Sequence, residues 1–513
     1  MGLFWRFVPM LLCLAWLSGP AQAGWKVAET ANFRLYSQAP EADLVQQAAL
    51  LEDFRALLVL ATGHVPNRDL PRLDVFIVRD LADAMPWRDV SKSAAGFYRA
   101  NAGRISAFAL ERSRVRQGDV TSQHVLLHEY AHHFMLAANG PAYPAWYVEG
   151  FAEYFSTAEF TPEQIMIGKF STNRALWLSN ADWQPLDTIL SGEANARNAP
   201  MFYAQSWLLT HYLFRVPDMR DRLIAYLTDY ARGANPVDAF REHVHPDLRS
   251  FNSRMQRYKN GRSSYSIVER SVATAASVTV RALPPSSDLF LLRLAALEHG
   301  VSEKSADVAL ADIRSVANDR SDPLAMRTLA LAELELGDPA VAAALLDSLL
   351  EKTPDDPDLL RWRAQAMRPM GRDASPETLS EARRLLVRAF RSDPRDWRTM
   401  HAYVRLHSPS TRPLPADVLD VLLRTHELAP QVSEVVLDTA VALAHANRMA
   451  EAEKTLQPLA YSPHSGKASA LAARLLERVR AGDRPGFLRE VTAARHRRGD
   501  DLAVLGKALD HGR

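Results

Sequence analysis

The chain has 513 residues, of which 47% are hydrophobic and 24% charged, with a formal net charge of +1. This length allows roughly two to four domains, and the interspersed charges form no basic surface of the kind that nucleic-acid binding requires, so nucleic acid is not an expected partner. Cys13 is the single cysteine. Because it falls in a segment that we expect to be removed, the metal ligands of the mature chain can come only from His, Asp and Glu.

The first 23 residues have the pattern of a secretory signal peptide. Arg6 precedes an apolar stretch at residues 7–17, and Ala21 and Ala23 form a small-x-small cleavage site. A membrane anchor is the alternative, but Pro9 interrupts the apolar stretch, which is shorter than the ~20 residues needed to cross a bilayer. We therefore expect residues 1–23 to be a signal peptide. The mature protein is then exported, periplasmic or secreted, with no membrane-spanning segment.

Residues 24–120 are predicted to form a small α/β unit. Polar and apolar residues alternate at 32–37, which favours a strand, and Leu and Ala follow at helical spacing over 41–60. Residues 73–78 read as a second strand and 96–108 as a hairpin. The pattern indicates that a small α/β unit comes first in the mature chain.

Residues 121–283 are predicted to form a helical part of the same domain. The helices run from Thr121 to about Val244, with breaks at residues 139–141, at 191–192 and near Pro217. Residues 265–282 are rich in Val, Ser and Thr, and we expect two strands that close the domain. Residues 284–287 (Pro-Pro-Ser-Ser) are expected to be a linker.

Residues 288–513 are predicted to be an all-α solenoid. Small residues, a turn residue and Pro recur at a period of about 34 residues. The positions are Ala330, Gly337, Ala342 and Pro354; then Ala364, Gly371, Ala382, Ala389 and Pro394, with a six-residue insertion; then Ala440, Asn447, Ala452 and Pro463. Small residues allow paired helices to approach, and Gly, Asn and Pro shape the turns and ends. The segment resembles tetratricopeptide repeats, with a generic helical bundle as the alternative.

The strongest chemical motif is His128-Glu129-Tyr130-Ala131-His132. Residues four apart share a helix face, so both imidazoles can reach one metal ion while Glu129 addresses a water molecule beside it. Thr121 or Ser122 is available as the N-cap of this helix, and residues 139–140 (Asn-Gly) are expected to end it.

A second helix is predicted to open at Pro144 and to carry Glu149 and Glu153 on one face. Two carboxylates on an otherwise apolar helix are costly to bury unless a cation or hydrogen-bond donors receive them. A Zn²⁺ ion and its histidines would meet that need.

The two motifs together resemble the gluzincin metallopeptidases, with the likeness extending over about residues 27–260. The resemblance implies a zincin-like α+β domain, in which Glu149 is the third zinc ligand beside His128 and His132, and Glu153 orients a ligand histidine from outside the ligand set. The gap from His132 to Glu149 is shorter than in the aminopeptidase-N group, which favours a related family. The elongated metzincin motif is absent.

Four further residues have competing interpretations. The resemblance implies that Tyr203 hydrogen-bonds the tetrahedral oxyanion, against simple core packing. His124 shares the metal-facing side of its helix, but a fourth protein ligand would fill the open position of a catalytic zinc. His133 is expected to lie just outside the ligand set, to cap the helix or to be exposed. His211 either donates to the oxyanion or sits in the core, the latter being favoured.

The expected function is hydrolysis of peptide bonds by zinc-activated water, with Glu129 as general base and a peptide or protein as substrate. The repeats could then bind a protein partner. One alternative is an exported scaffold whose repeats bind a protein while the zincin domain is inactive or structural. Another is a zinc hydrolase of cell-wall or other non-protein amides. An intact Glu129 favours an active enzyme.

Overall fold

A computed structural model describes residues 24–88, 90, 95–111, 121–137, 142–169, 172–261, 265–269, 277–319, 321–367, 374–407, 413–462 and 466–496. The predicted signal peptide, Gly371 and Pro463 lie outside these residues, as does the predicted helix stop at 139–140. Within the described segments, no helix combines the length and apolarity needed to span a bilayer.

The chain folds as a mixed α+β N-terminal half followed by a helical array. The strands are β1 (Lys26–Glu29), β2 (Phe33–Ser37), β3 (Leu73–Val78), β4 (Gly96–Ala100), β5 (Ile105–Leu110), β6 (Glu159–Phe160), β7 (Gln164–Ile167), β8 (Ser266–Glu269) and β9 (Thr279–Ala282). The helices of the N-terminal half are α1 (Glu41–Thr62), α2 (Leu81–Ala84), α3 (Ser122–Ala137), α4 (Ala145–Ser156), α5 (Thr172–Asn180), α6 (Leu186–Ser191), α7 (Glu193–Arg197), α8 (Ala199–Arg215), α9 (Met219–Ala231), α10 (Pro236–His243) and α11 (Leu248–Lys259). The helices of the array are α12 (Ser287–Glu298), α13 (Ala306–Val316), α14 (Pro323–Leu336), α15 (Pro339–Lys352), α16 (Pro357–Ala366), α17 (Pro376–Ser392), α18 (Trp397–Arg405), α19 (Ala416–Leu428), α20 (Ser433–His445), α21 (Met449–Ala460), α22 (Gly466–Arg480) and α23 (Arg484–His496).

The main sheet has the strand order β4-β5-β3-β2-β1-β9, and its central strands β3 and β5 are buried along their whole length. Strands β2, β3 and β5 are parallel, and β4 runs antiparallel to β5 at one edge. All six residues of β3 are buried, as expected of a parallel strand covered on both sides. Alternate residues serve the two faces: Val75 and Ile77 pack with α1 and α3, whereas Phe76 and Val78 point to the other side.

The second face of this sheet carries four aromatic rings in a row. Tyr36, Phe76, Phe108 and Phe97, on strands β2, β3, β5 and β4, stack with successive ring centroids 4.8, 5.0 and 4.7 Å apart. Their apolar cluster continues into the array, through side chains of α12 to α16. The array therefore forms one wall of the core of the N-terminal half.

In this part of the chain two predictions need correction, those for the helical segment and for the linker, while the two predicted closing strands are confirmed. The segment predicted as helical throughout contains the β6-β7 hairpin, which pairs with β8 to form a second small sheet. The predicted closing strands exist as β8 and β9, but they belong to different sheets, since β9 pairs with β1. Ser287, placed in the linker by the sequence, is the first residue of α12.

The array consists of antiparallel helix pairs, as the repeat pattern predicts. The small residues at the repeat positions are buried between helices: Ala330, Ala342, Ala364, Ala382, Ala389, Ala440 and Ala452. Asn447 turns the chain between α20 and α21 in the left-handed region, with φ of 61°. Helices α14, α15 and α16 each begin with an Asp N-cap followed by Pro, a helix-start signal that supplements the periodicity.

The array also contacts the N-terminal half beyond the sheet. The turn between β4 and β5 meets it closely: the Asn101 side-chain amide donates to the His299 carbonyl at 2.8 Å, and the backbone N–H of Ala102 donates to the Glu434 carboxylate at 3.1 Å. Trp397 and Met400 of α18 join the main core of the N-terminal half. Part of the surface predicted to receive a protein partner is thus covered by the chain itself.

Candidate metal centre

Helices α3 and α4 bring the predicted metal ligands together. The Thr121 hydroxyl accepts a hydrogen bond from the backbone N–H of His124 at 3.3 Å, which caps the first turn of α3 as predicted. Helix α4 begins at Ala145 with Pro144 as its N-cap, one residue later than predicted. Gly150 allows α4 to lie close against α8, since a Cβ there would be 2.2 Å from the Thr210 hydroxyl.

The side chains of His128, His132 and Glu149 converge at the interface of these helices. The two Nε2 atoms are 2.9 Å apart, and Glu149 Oε2 lies 3.6 Å from His128 Nε2 and 3.5 Å from His132 Nε2. One nitrogen or oxygen from each residue lies within 4.8 Å of the others. Glu149 is completely buried and His132 is 3% exposed. The three predicted ligands therefore form one compact, largely buried group.

The donor set fits a zinc ion. Ligand atoms about 2.0–2.1 Å from a tetrahedral zinc lie about 3.3 Å from one another, and the three observed separations lie around that value. Two imidazoles and one carboxylate from the protein are also a ligand set of catalytic zinc sites, in which the fourth position is kept for water or substrate. These residues can therefore hold Zn²⁺.

Glu153 lies one turn beyond Glu149 and faces the other nitrogen of His128. Its Oε1 atom is 3.4 Å from His128 Nδ1. Arg174 of α5 holds the same carboxylate, with its Nε donating to Glu153 Oε2 at 2.8 Å and its Nη2 donating to Oε1. Glu153 thus occupies the outer position that the resemblance implies, and Arg174 is a partner that the sequence analysis missed.

Glu129 and Tyr203 border the same group of residues. Glu129 is half-buried, and its negative charge acts on both His128 and Tyr203. The Tyr203 ring, on α8, lies 6.3 Å from the ring of His128, and the residue is partly exposed to solvent. A carboxylate and a phenol hydroxyl are therefore close to the predicted ligands.

The electrostatics of the group reflect an excess of carboxylates. Burial alone would lower the pKa of His128, but the approach of Glu149 and the charges of Glu153 and Glu129 outweigh it and raise that pKa to about 9. For Tyr203, by contrast, burial raises the pKa, and the charges of the three carboxylates raise it further. Tyr203 thus keeps its proton near neutral pH and can donate a hydrogen bond.

The remaining histidines lie outside this group. His124 is at the first turn of α3, where its Nδ1 accepts from the Thr121 N–H at 3.3 Å. His133 is partly buried against Tyr98, with Nδ1 3.0 Å from the tyrosine hydroxyl, and desolvation lowers its pKa to about 4. The exposed position considered for His133 is therefore wrong. His211 is buried with Nδ1 2.9 Å from the Tyr258 hydroxyl, which agrees with the favoured core interpretation.

A second group of possible ligands, Asp229, Glu242 and His243, joins α9 to α10. Glu242 is exposed, and Asp229 already pairs with His243 Nε2 at 2.7 Å and with Arg232 at 3.5 Å. A neighbouring arginine and an exposed ligand make this group much less suited to a catalytic metal than the first.

Comparison with known proteins bears on the array. A family model described as tetratricopeptide repeat matches residues 323–366, which run from the start of α14 to the end of α16. Repeats of this type typically mediate protein interactions through stacked helices. None of the curated proteins compared with the chain is a match. The array therefore contains a tetratricopeptide repeat, whereas the gluzincin resemblance of residues 27–260 stays a prediction.

Proposed function

We propose that the protein is an exported zinc-dependent peptidase of gluzincin type. The observation that carries this proposal is the convergence of His128, His132 and Glu149 in a buried group, with Glu129 beside it. The mixed sheet supports the proposal, because its antiparallel edge strand β4 packs against the helix that carries both histidines: a Cβ on Gly96 would be 2.7 Å from Val125 of α3.

The proposed chemistry is hydrolysis of an amide bond. A bound zinc ion supplies Lewis acidity, which polarises the substrate carbonyl and lowers the pKa of water. Glu129 accepts a proton from the attacking water and passes it to the departing amine nitrogen. The Tyr203 hydroxyl donates to the oxygen on which negative charge develops. Glu153 fixes the orientation of His128 by accepting a hydrogen bond from Nδ1, which leaves Nε2 to face the metal.

Turnover of a mixed peptide library tests this proposal. We expect zinc-loaded wild type to cleave peptides and Glu129→Gln to keep its zinc while losing at least ~10³-fold in activity, because the general base is gone and the ligands remain. Glu242→Gln, a glutamate of the second ligand group, is the matched control and should cleave like wild type. If zinc-loaded wild type and Glu129→Gln are equally inert across the library, the peptidase proposal fails.

A second candidate function is an exported scaffold in which the array binds a protein. The tetratricopeptide match at residues 323–366 favours it. This function needs an array surface that the N-terminal half leaves open, such as the outer face of α17, where Val387 and Phe390 are 37% and 42% exposed. An inert wild type that still retains its zinc in the library experiment would favour the scaffold.

A further inference from the structure

Arg174 lies beside the proposed zinc ligands, where its charge interacts with both Glu149 and Glu153. Its Nε and Nη2 atoms both donate hydrogen bonds to the carboxylate of Glu153. The central carbon of the same guanidinium lies 5.4 Å from the centre of the Tyr203 ring. Since Glu153 is on α4 and Tyr203 on α8, this one side chain connects two helices that carry groups of the site.

The pairing answers an electrostatic problem. Glu153 is 7% exposed and lies near the completely buried Glu149. Two buried carboxylates on one helix repel each other, and the guanidinium of Arg174 offsets this repulsion through its two charge-assisted hydrogen bonds to Glu153. The carboxylate that Arg174 holds lies 3.4 Å from His128 Nδ1, where it can accept the hydrogen bond of that ring nitrogen.

The planar guanidinium also constrains Tyr203. A cation over an aromatic face is attracted to the ring. The planar guanidinium of arginine can donate hydrogen bonds to a carboxylate and stack on an aromatic ring at the same time. Lysine could supply the charge but not this double geometry. Loss of Arg174 should therefore affect both the orientation of His128 and the placement of the Tyr203 hydroxyl.

We propose that Arg174 is a positioning residue of the metal centre, which holds Glu153 against His128 Nδ1 and fixes the ring of Tyr203. The inference rests on the proposed zinc site, but it does not require that peptides be the substrate. It assigns Arg174 no contact with the substrate. Its effect on the metal passes through Glu153, and its effect on turnover passes partly through Tyr203.

Competition with a zinc chelator tests the first effect on the full mature chain. We expect Arg174→Met to weaken zinc binding about 10- to 100-fold, as is typical when an outer-shell partner is lost, and Arg174→Lys to weaken it less. In a Glu153→Gln background, Arg174→Lys should change zinc affinity by less than about two-fold, because its route of action is already removed. Additive losses in the double variant would overturn the proposal.

A matched control lies in the array, where Arg314 grips the buried carboxylate of Glu333 with Nε and Nη2 at 2.7 and 2.8 Å. Arg314→Lys should leave zinc affinity unchanged. The absorption spectrum of the Co²⁺-substituted protein provides a second readout, and it should change in Arg174→Lys but not in Arg314→Lys. Wild-type zinc affinity and an unchanged Co²⁺ spectrum in a folded Arg174→Met protein would refute the proposal. If Arg174→Met does not fold, Arg174→Lys decides by the same criteria.

The kinetic arm separates this proposal from the proposed function. At saturating zinc, Arg174→Lys should lower kcat with little change in KM, and the loss should shrink when Tyr203→Phe is already present. Full additivity with Tyr203→Phe would remove the Tyr203 part of the proposal. If wild type cleaves no peptide, the peptidase function fails, whereas the zinc-affinity series still decides the role of Arg174.

Discussion

Two of the regions in which the described residues bury charged side chains are balanced differently. One is a network between the main sheet and the array, in which five arginines alternate with five carboxylates in a continuous set of ion pairs. Its members are Arg34, Asp74, Arg104, Glu298, Arg398, Asp358, Asp396, Arg361, Arg327 and Asp356. The other is the candidate metal centre, where three carboxylates, those of Glu129, Glu149 and Glu153, surround two histidines. Of these carboxylates, Glu153 is held by Arg174.

This difference distinguishes charges that stabilise the fold by pairing with one another from charges that could bind a ligand. Within the network each carboxylate meets at least one arginine, so the chain satisfies its own buried charges. In the candidate metal centre the carboxylates exceed the arginines, and these carboxylates raise the pKa of His128 to about 9, so the group favours positive charge. A divalent cation held by His128, His132 and Glu149 would correct the imbalance. We therefore interpret the network as structural and the second region as a ligand site.

The largest expected effect comes from removing the array. A chain ending at Ala282 would expose the aromatic row of Tyr36, Phe76, Phe108 and Phe97. It would also lack Glu298, which pairs with Arg104 beside Asp74, and the charged residues of the array that follow it in the network. We expect this chain to be insoluble or unfolded, because truncation of even one buried Phe to Ala costs about 3–5 kcal/mol.

Soluble yield and circular dichroism measure the outcome, with a chain ending at His496 as the control for truncation itself. A linker at residues 284–287, as the sequence predicts, would allow residues 24–283 to fold without the repeats, and the shared apolar cluster argues against this. A soluble, cooperatively melting chain ending at Ala282 would show that the sheet does not need its cover.

The sequence predicted the metal centre better than it predicted this packing. His128, His132, Glu149 and Glu153 could be placed because helix periodicity is local and fixes which residues share a face. The β6-β7 hairpin depends on pairing with β8, about a hundred residues later, and no local pattern reveals such a partner.

Local patterns could not predict that the array covers the main sheet either. The alternation of Val75, Phe76 and Ile77 shows that β3 has two apolar faces, but not that the array covers one of them. Arg174 was missed for the same reason, since it lies 21 residues after Glu153 with no periodic relation to it. Contacts of this kind follow from tertiary packing alone.

The second prediction concerns zinc itself. Zinc at about 1,000 times its Kd should raise the free energy of unfolding by about 4 kcal/mol, because the folded state binds it and the unfolded chain lacks the assembled site. Glu149→Ala should lose most of this gain, since it removes one ligand of three. Thermal melts with and without zinc provide the measurement, and Asp358→Asn is the control, in which the gain should persist. An equal zinc content in wild type and Glu149→Ala would exclude Glu149 as a ligand.

The third prediction contrasts the loss of one carboxylate in each region, in zinc-free protein. Asp358 contacts Arg327, Arg361 and Arg398, so Asp358→Asn removes one carboxylate partner from each of three arginines and should cost about 3 kcal/mol. Glu149→Gln loses the attraction between Glu149 and His128 but also relieves the repulsion between Glu149 and Glu153. Because these two effects oppose each other, this variant should cost less, about 1 kcal/mol. Urea unfolding of both variants gives the comparison. Equal losses would mean that the two regions do not differ as we infer.

The smallest effect is the response of the network to acid. Burial raises the pKa of the Asp74 and Asp358 carboxyls, but the arginines around them outweigh it and hold both pKa values below their usual range. A carboxyl whose pKa is lower in the folded than in the unfolded protein contributes stability above its unfolded pKa of about 3.9, and this contribution is lost as the pH falls through the folded value. We therefore expect the free energy of unfolding to decline below about pH 4, by up to about 1.4 kcal/mol per pH unit for each carboxyl.

Urea titrations between pH 3 and pH 7 measure the slope, using zinc-free protein so that metal release does not contribute. Asp358→Asn should flatten the slope, because one of the groups that takes up a proton on unfolding is absent, whereas Glu242→Gln, at an exposed position, should leave the slope unchanged. A slope in Asp358→Asn as steep as in wild type would assign the acid sensitivity to carboxyls outside the network.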